Sequence, residues 1–111
     1  MDEIKRYNIR YSESAEEDII TKAEYIEKVF HDSRLAFTWY SQLRNQLAKD
    51  LSFLPYKFQL YPASDWAEKG IREYVFHNDI VLYSIDEPSA AVVIHAVFTK
   101  GKNISEDISD E

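Results

Sequence analysis

Three histidines are the side chains whose type would suit a metal site: His31, His77 and His95. No two of them have the helical or hairpin spacing, with acidic residues alongside, that would bring ligands to one ion. The chain has no Cys, which excludes disulfides, thiolate ligands and cysteine nucleophiles. It also lacks a Gly-rich phosphate loop, a nucleophile elbow and zinc-finger spacing. We therefore predict no metal site and no cofactor.

The composition predicts one folded domain at residues 1–102, followed by an acidic and flexible tail at 103–111. With 111 residues, 45% of them hydrophobic, the chain can bury a single core but not two. The charged first residues are followed by no apolar run of signal-peptide or membrane-spanning length, so we expect a cytoplasmic protein with no membrane partner. The formal net charge of -7 argues against a broad cationic surface for nucleic acid.

Two amphipathic helices are predicted in the first half of the chain, after a short strand at 7–11. Ser14 and Glu17 have the Ser-x-x-Glu spacing of a capping box, which predicts the start of the first helix. The second helix should begin at a cap on Asp32 or Ser33 and stop at Pro55. The apolar stripes are Ala15, Ile19, Ala23, Ile26 and Phe30 in the first helix, and Ala36, Tyr40, Leu43, Leu47, Leu51 and Leu54 in the second. Because few residues separate the helices, we expect an antiparallel hairpin.

Three strands are predicted after an irregular, aromatic-rich connection at 56–70. Residues 71–77 and 80–86 are strand-like, and Asn78-Asp79 is a pair that suits a tight turn between them. Residues 91–98 are apolar almost throughout, which predicts a strand buried on both faces at the centre of the sheet. The predicted class is α+β: a strand, an antiparallel two-helix hairpin and a three-stranded antiparallel meander.

Arg72 has two interpretations in this predicted hairpin, where it lies opposite Ile85 and shares a face with Tyr74. Tyr74 in turn lies opposite Tyr83. In the structural interpretation, the alkyl stem of Arg72 packs beside aromatic rings while its guanidinium binds a carboxylate or a helix end. In the functional interpretation, Arg72, Tyr74 and Tyr83 contact a partner protein.

Several segments, taken in order, resemble the RelE/ParE superfamily of bacterial toxins. Residues 11–19 resemble the family's strand-to-helix opening, 51–55 the end of its long helix, and 69–72 the beginning of its sheet. Residues 78–86 and 92–97 resemble its closing hairpin in apolar pattern and spacing. The resemblance implies a helical hairpin on a curved antiparallel sheet. It also implies the toxin of a type II toxin-antitoxin system, such as those that stabilise plasmids, which inhibits growth and is neutralised by a cognate antitoxin.

The resemblance leaves two targets open. The ParE-like branch is associated with poisoning of DNA gyrase, whereas the RelE-like branch cleaves mRNA on the ribosome. Cleavage by 2'-hydroxyl attack needs a base, cations around the phosphate and an acid. Aligned on the hairpin, the positions of the nuclease branch's basic residues fall here on Ile71, Glu73 and Ile80. A rearranged set of Glu73, Lys100 and Lys102 supplies the catalytic candidates if the chain is an mRNA endoribonuclease.

The missing cations favour the ParE-like alternative, and Gly70-Ile71-Arg72 matches that branch directly. In this interpretation the chain is not an enzyme, and Arg72, Tyr74 and Tyr83 bind the target or the antitoxin. A degenerate member of the fold without toxicity is the third alternative. The sequence leaves open whether the chain forms a homo-oligomer or a toxin-antitoxin hetero-oligomer.

Overall fold

The computed structural model describes residues 5–101, which form two long helices and a four-stranded sheet. The predicted tail at 103–111 lies outside the described residues. In chain order the elements are β1 (Asn8–Tyr11), α1 (Glu13–Phe30), α2 (Ser33–Leu51), a 3-10 turn (Pro55–Lys57), α3 (Ser64–Glu68), β2 (Arg72–Phe76), β3 (Asp79–Asp86) and β4 (Ala91–Thr99). The α+β class and the order of the strands and the two long helices are as predicted, whereas the connection predicted to be irregular contains most of the 3-10 turn and helix α3.

Helix α1 begins two residues before the predicted capping box. Ser12 is the N-cap, and its side-chain oxygen accepts a hydrogen bond from the Ala15 amide at 3.0 Å. The Ser12 amide itself donates to Ile94 O at 2.9 Å, so the chain leaves the sheet at Ser12 and turns directly into the helix. The prediction of a cap at Ser14 was therefore wrong. The apolar stripe is buried at its first positions but not at Phe30, which is exposed at the tip of the hairpin.

Helix α2 begins at the predicted cap. One carboxylate oxygen of Asp32 accepts from the amides of Arg34 and Leu35, at 2.9 and 3.2 Å. The helix ends at Leu51, earlier than the predicted stop at Pro55. Leu54 consequently leaves the apolar stripe: it has a φ of 52° and is 64% exposed.

The sheet has the order β1-β4-β3-β2, so β4 lies inside it as predicted. The β2-β3-β4 meander is antiparallel, but β1 pairs parallel to β4, and the sheet is mixed rather than purely antiparallel. Helix α1 runs parallel to β4, as β1 does. Asp18 accepts from the Val97 amide at 3.0 Å, and Lys22, one turn later, donates to Thr99 at 2.7 Å. One face of β4 packs in the core, while residues on its other face, such as Val93 and Phe98, are only half-buried.

The β2-β3 hairpin differs from the predicted register by two residues. Arg72 lies opposite Tyr83, and Tyr74 lies opposite Val81. The turn is His77-Asn78 rather than Asn78-Asp79, and His77 has a φ of 54°. A shift by two residues keeps every side chain on its predicted face of the sheet. Arg72, Tyr74 and Tyr83 therefore lie on the predicted face, and only their partners across the hairpin change.

The hydrophobic core lies between the helical hairpin and one face of the sheet. Its members include Ile19, Leu43, Leu47, Tyr83 and Ile94. We call the opposite face of the sheet the outer face; alternation along the paired strands places there Arg10, Glu73, Val75, Ile80, Leu82, Ser84, His95 and Phe98.

Candidate functional site

The three side chains predicted to bind a partner converge on one segment, Pro55–Phe58, which follows α2. Arg72 Nη1 donates to Phe58 O at 2.6 Å and to Tyr56 O at 3.3 Å. The hydroxyl of Tyr83 donates to Pro55 O at 2.6 Å. The ring of Tyr74 packs edge-on against Phe58, with the ring centroids 5.1 Å apart. Sequence spacing does not reveal this convergence, because the segment lies 14 to 28 residues away.

Tyr74 and Tyr83 belong to the core of this conformation, and Arg72 is half-buried. The Tyr74 hydroxyl donates to Asp50, and burial together with that hydrogen bond raises the pKa of Tyr74. Burial also raises the pKa of Tyr83, against the nearby charge of Arg72. Both phenols are therefore protonated hydrogen-bond donors at neutral pH. The guanidinium of Arg72 donates to two backbone carbonyls and lies 5.3 Å from the centroid of the Tyr56 ring. These contacts are of the kind that the structural interpretation describes, with backbone carbonyls in place of a carboxylate.

The Pro55–Phe58 segment presents apolar surface to solvent. Tyr56 is 49% exposed, and the preceding Leu54 is also exposed. The connection then runs beside the edge of β2, where Leu60 forms a single antiparallel bridge to Arg72 and the Glu73 amide donates to Gln59 O at 3.0 Å. These bonds pair backbone groups along part of the β2 edge with the connection. What the connection presents to solvent here is therefore mainly side chains.

The catalytic candidates are not brought together in the backbone register. Glu73 lies opposite Leu82, which lies opposite Ala96, whereas Lys100 follows the end of β4 and its amide donates to Asn78 O at 2.6 Å. That places Glu73 two strands away, about 10 Å, and four residues along, roughly 13 Å, from Lys100. The Glu73 carboxylate accepts from Gln59 at 2.5 Å. Lys102 lies outside the described residues.

The outer face carries a polar pair that sequence reasoning did not find. Ser84 Oγ and His95 Nε2 lie 2.8 Å apart, and burial lowers the pKa of His95, so its imidazole is neutral at pH 7. His95 is the extra residue at a register shift, because Leu82 pairs with Ala96 and Tyr83 with Ile94. No local sequence signal marks such a bulge.

The outer face is poor in cations. Of its residues on the four described strands, only Arg10 is positively charged, and it lies on the edge strand β1. Apart from Arg10, no outer-face residue of these strands supplies the positive charge that the positions of Ile71, Glu73 and Ile80 lack. Next to the outer face, Tyr61 packs edge-on against Phe98, with ring centroids 6.5 Å apart, so part of this surface is covered by the connection.

Two polar clusters fix the ends of the sheet. Asp79 is 2% exposed; it accepts from Lys22 Nζ at 2.9 Å and from Trp39 Nε1 at 3.0 Å, which joins α1 and α2 to the β2-β3 turn. At the other end, Glu87 accepts from Lys5 and two tyrosines. Hydrogen bonds from Lys5, Tyr56 and Tyr7 lower the pKa of Glu87 to about 2. Both clusters hold elements together rather than line a cleft.

Within residues 5–101, no group of three or more His, Asp and Glu side chains is placed to hold a metal ion. Every helix in this part of the chain is too short or too polar to cross a membrane.

Comparison with known proteins finds similarity in three dimensions alone. No family model matches, and no curated protein matches in sequence. A chain of the RelBE2 toxin-antitoxin complex of Mycobacterium tuberculosis superposes with a TM-score of 0.64 at 18% identity, covering 92% of this chain and 100% of that one. A chain of the chromosomal ParDE toxin-antitoxin system of P. aeruginosa gives a TM-score of 0.68 at 11% identity, covering 86% and 98%. The protein therefore has the RelE/ParE-like fold.

Proposed function

We propose that this chain is the toxin of a bacterial type II toxin-antitoxin system, acts in the cytoplasm, and inhibits growth by binding a cellular protein, for which DNA gyrase is the ParE-like example. The choice of target depends on the charge of the outer face. Among the outer-face residues of the described strands, only Arg10 is a cation, and it lies on the edge strand β1. A phosphodiester held for cleavage needs several positive charges around it. The antitoxin partner is supported by the two neighbours, which are both toxin-antitoxin systems.

Arg72, Tyr74 and Tyr83 would serve this binding through the segment that they hold. Their contacts with Pro55, Tyr56 and Phe58 fix a short turn whose exposed side chains face solvent. Aromatic side chains in a rigid setting are frequent at the energetic centres of protein interfaces. Arg72 is then a positioning residue, and Tyr56 is the side chain that touches the target or the antitoxin.

Controlled expression tests the proposal. We expect growth arrest with broken DNA, intact translated mRNA, and relief on co-expression of the gene product encoded next to it. Purified protein should inhibit supercoiling by gyrase. Arrest with cleaved mRNA would support the endoribonuclease alternative instead, and unimpaired growth with folded protein present would support the degenerate member and refute toxicity.

Substitution of two arginines separates the alternatives further. Arg72→Ala should relieve the arrest while the chain remains folded, because the Pro55–Phe58 segment loses its two carbonyl contacts. Arg10→Ala should leave the arrest unchanged, because a protein target does not need the outer-face cation. Relief by Arg10→Ala alone would indicate a phosphate contact and contradict the proposal. Unfolding of Arg72→Ala, measured by circular dichroism, would show that Arg72 is purely structural. Tyr56→Ser, compared with Tyr56→Phe, which loses only the hydroxyl bond to Glu87, then tests the surface itself.

A further inference from the structure

The segment that follows α2 holds a leucine in an unfavourable backbone conformation. Leu54 has a φ of 52°, in the left-handed region that a leucine rarely occupies, and its side chain is 64% exposed. Tyr56, two residues later, is 49% exposed. Backbone strain lowers stability, and strained residues are concentrated at sites that bind other molecules. Leu54 and Tyr56 therefore form the apolar centre of a candidate binding surface.

Four cations lie around this apolar centre, each placed over an aromatic ring. Their charged groups are 4.8 to 5.3 Å from the ring centroids, and the pairs are Lys5 with Tyr7, Arg6 with Phe53, Lys57 with Phe58 and Arg72 with Tyr56. Lys5 also binds Glu87, and Arg72 binds backbone carbonyls. By contrast, no Asp or Glu of residues 5–101 lies within 4.0 Å of the charged groups of Arg6 and Lys57, which are both exposed. The chain as a whole is acidic, so this end of the sheet differs from it in charge.

A carboxylate beside these cations shows which chemical group the cluster binds. Glu87 accepts from Lys5 Nζ at 2.5 Å and from the hydroxyls of Tyr7 and Tyr56 at 2.8 and 2.5 Å. Donors from two separate parts of the chain thus converge on one carboxylate. The two cations that have no carboxylate of the described chain within reach are suited to carboxylates from outside it.

We call Leu54, Tyr56, Arg6 and Lys57 the Leu54 surface, and we propose that it binds an acidic segment of a partner protein. An apolar side chain of that segment packs against Leu54 and Tyr56, and its Asp or Glu side chains bind Arg6 and Lys57. The inference rests on the proposed function, since it takes Tyr56 as a protein contact, and it adds the chemistry of the partner. An apolar centre with a polar rim is the usual arrangement of a protein interface, whereas a leucine offers no ring on which a nucleobase can stack.

A second copy and the chain's own last residues suit the Leu54 surface less well. A symmetric dimer through this surface would bring the positive charges of the two copies together. The last residues follow the opposite end of β4, a strand of nine residues that spans about 26 Å. Glu106 and Asp107 lie at most six residues beyond Gly101, a reach of at most about 22 Å. These two acids therefore cannot extend from the end of β4 to the surface.

Two synthetic peptides test the proposal with the purified full chain. Both carry Leu residues at the centre; one has Glu residues on both sides and the other has Gln in their place. By fluorescence anisotropy, the Glu peptide should bind at least about tenfold more tightly than the Gln peptide. Its affinity should fall as the salt concentration rises toward about 1 M, where charges are screened beyond about 3 Å. The amide shifts that it causes in NMR spectra should lie at residues 5–7 and 52–58.

Variants of the chain make the test specific. Leu54→Asn should weaken the Glu peptide about tenfold, and because Asn tolerates the left-handed region the chain should be no less stable in urea. Arg6→Gln combined with Lys57→Gln should also weaken the Glu peptide about tenfold and abolish the preference between the peptides. The matched control is Lys28→Gln combined with Arg34→Gln. It removes one exposed Lys and one exposed Arg at the far end of the helical hairpin, and it should leave the preference unchanged.

Equal binding of the two peptides, unchanged affinity in Leu54→Asn, or amide shifts confined to other parts of the chain would overturn the proposal. Tighter binding of a single-stranded oligothymidylate than of the Glu peptide, lost in the Arg6 and Lys57 double variant, would assign the surface to nucleic acid instead. A dimer in sedimentation that Leu54→Asn dissociates would assign it to a second copy. Growth is not measured in this test, so a chain that binds the Glu peptide without arresting growth would refute toxicity and support this inference.

Discussion

Removal of the buried carboxylate of Asp79 should strongly destabilise the fold. Breaking a buried ion pair by removing one partner costs about 3–5 kcal/mol, because the other charge is left uncompensated. Lys22 keeps 22% of its side chain exposed, so its ammonium can turn toward water and the cost falls to the lower end of that range. Trp39 Nε1 loses its acceptor as well, which adds about 1 kcal/mol. Since these terms overlap, we expect Asp79→Ala to lower the free energy of unfolding by about 3 kcal/mol.

Urea unfolding followed by circular dichroism measures this change, because domains of this size have total stabilities of about 5–15 kcal/mol. With a urea dependence of about 1–2 kcal/mol/M, the midpoint should fall by roughly 1.5–3 M. Asp86→Ala is the matched control: this carboxylate is only half-buried and accepts from Ser89 at 2.7 Å. Its removal should change the free energy by less than about 1 kcal/mol.

A double-mutant cycle distinguishes the ion pair from general loss of packing. Lys22→Met alone leaves the Asp79 carboxylate buried with Trp39 as its remaining side-chain donor among residues 5–101, so it should also be costly. Lys22→Met combined with Asp79→Asn removes both charges and keeps an acceptor for the indole. We expect this double variant to be less destabilised than the sum of the single changes by at least about 1 kcal/mol. Additive effects, or a loss below about 1 kcal/mol in Asp79→Ala, would refute the reasoning.

Three further predictions concern single side chains. Ser12→Ala should destabilise the chain by about 1 kcal/mol in urea unfolding, because the Ala15 amide loses its cap, whereas Ser14→Ala should have little effect. Because Glu87 has a pKa lowered to about 2, its contribution to stability should be full above pH 4.5 and be lost as the pH falls toward 2; Glu87→Gln should therefore be less stable than wild type at pH 7 but not at pH 2. Because burial lowers the pKa of His95, the unfolded chain binds its proton more readily, so stability should fall as the pH drops through about 6.5, and His95→Gln should reduce that fall.

The helical half of the fold is predictable from local patterns. The apolar periodicity locates both helices, and Asp32 is a cap whose partners, Arg34 and Leu35, are its near neighbours in sequence. The start of α1 is not predictable in this way, since Ser14 has the better local signal. The decisive bond joins the Ser12 amide to Ile94 O, which is far away in the chain.

The sheet and the candidate site depend on contacts between distant residues. Asn78-Asp79 is a reasonable turn by residue type, but Asp79 is held inside the sheet by Lys22 and Trp39, which lie 57 and 40 residues away. The bulge at His95 depends likewise on strand pairing rather than on residue type. The sequence predicts a binding role for Arg72, Tyr74 and Tyr83. That all three side chains contact the Pro55–Phe58 segment is evident only in the folded chain.

The electrostatics of the outer face bear on the choice of target. A phosphate brought within 4 Å of the Glu73 carboxylate is repelled by about 1 kcal/mol in water and about 4 kcal/mol at a protein surface. Among the outer-face residues of the described strands, only Arg10, on the edge strand, is a cation that could offset this repulsion. The fold itself does not select a target, because one scaffold can carry different sites. The charges favour partners that bring their own Lys and Arg residues, which is a property of proteins and not of nucleic acids.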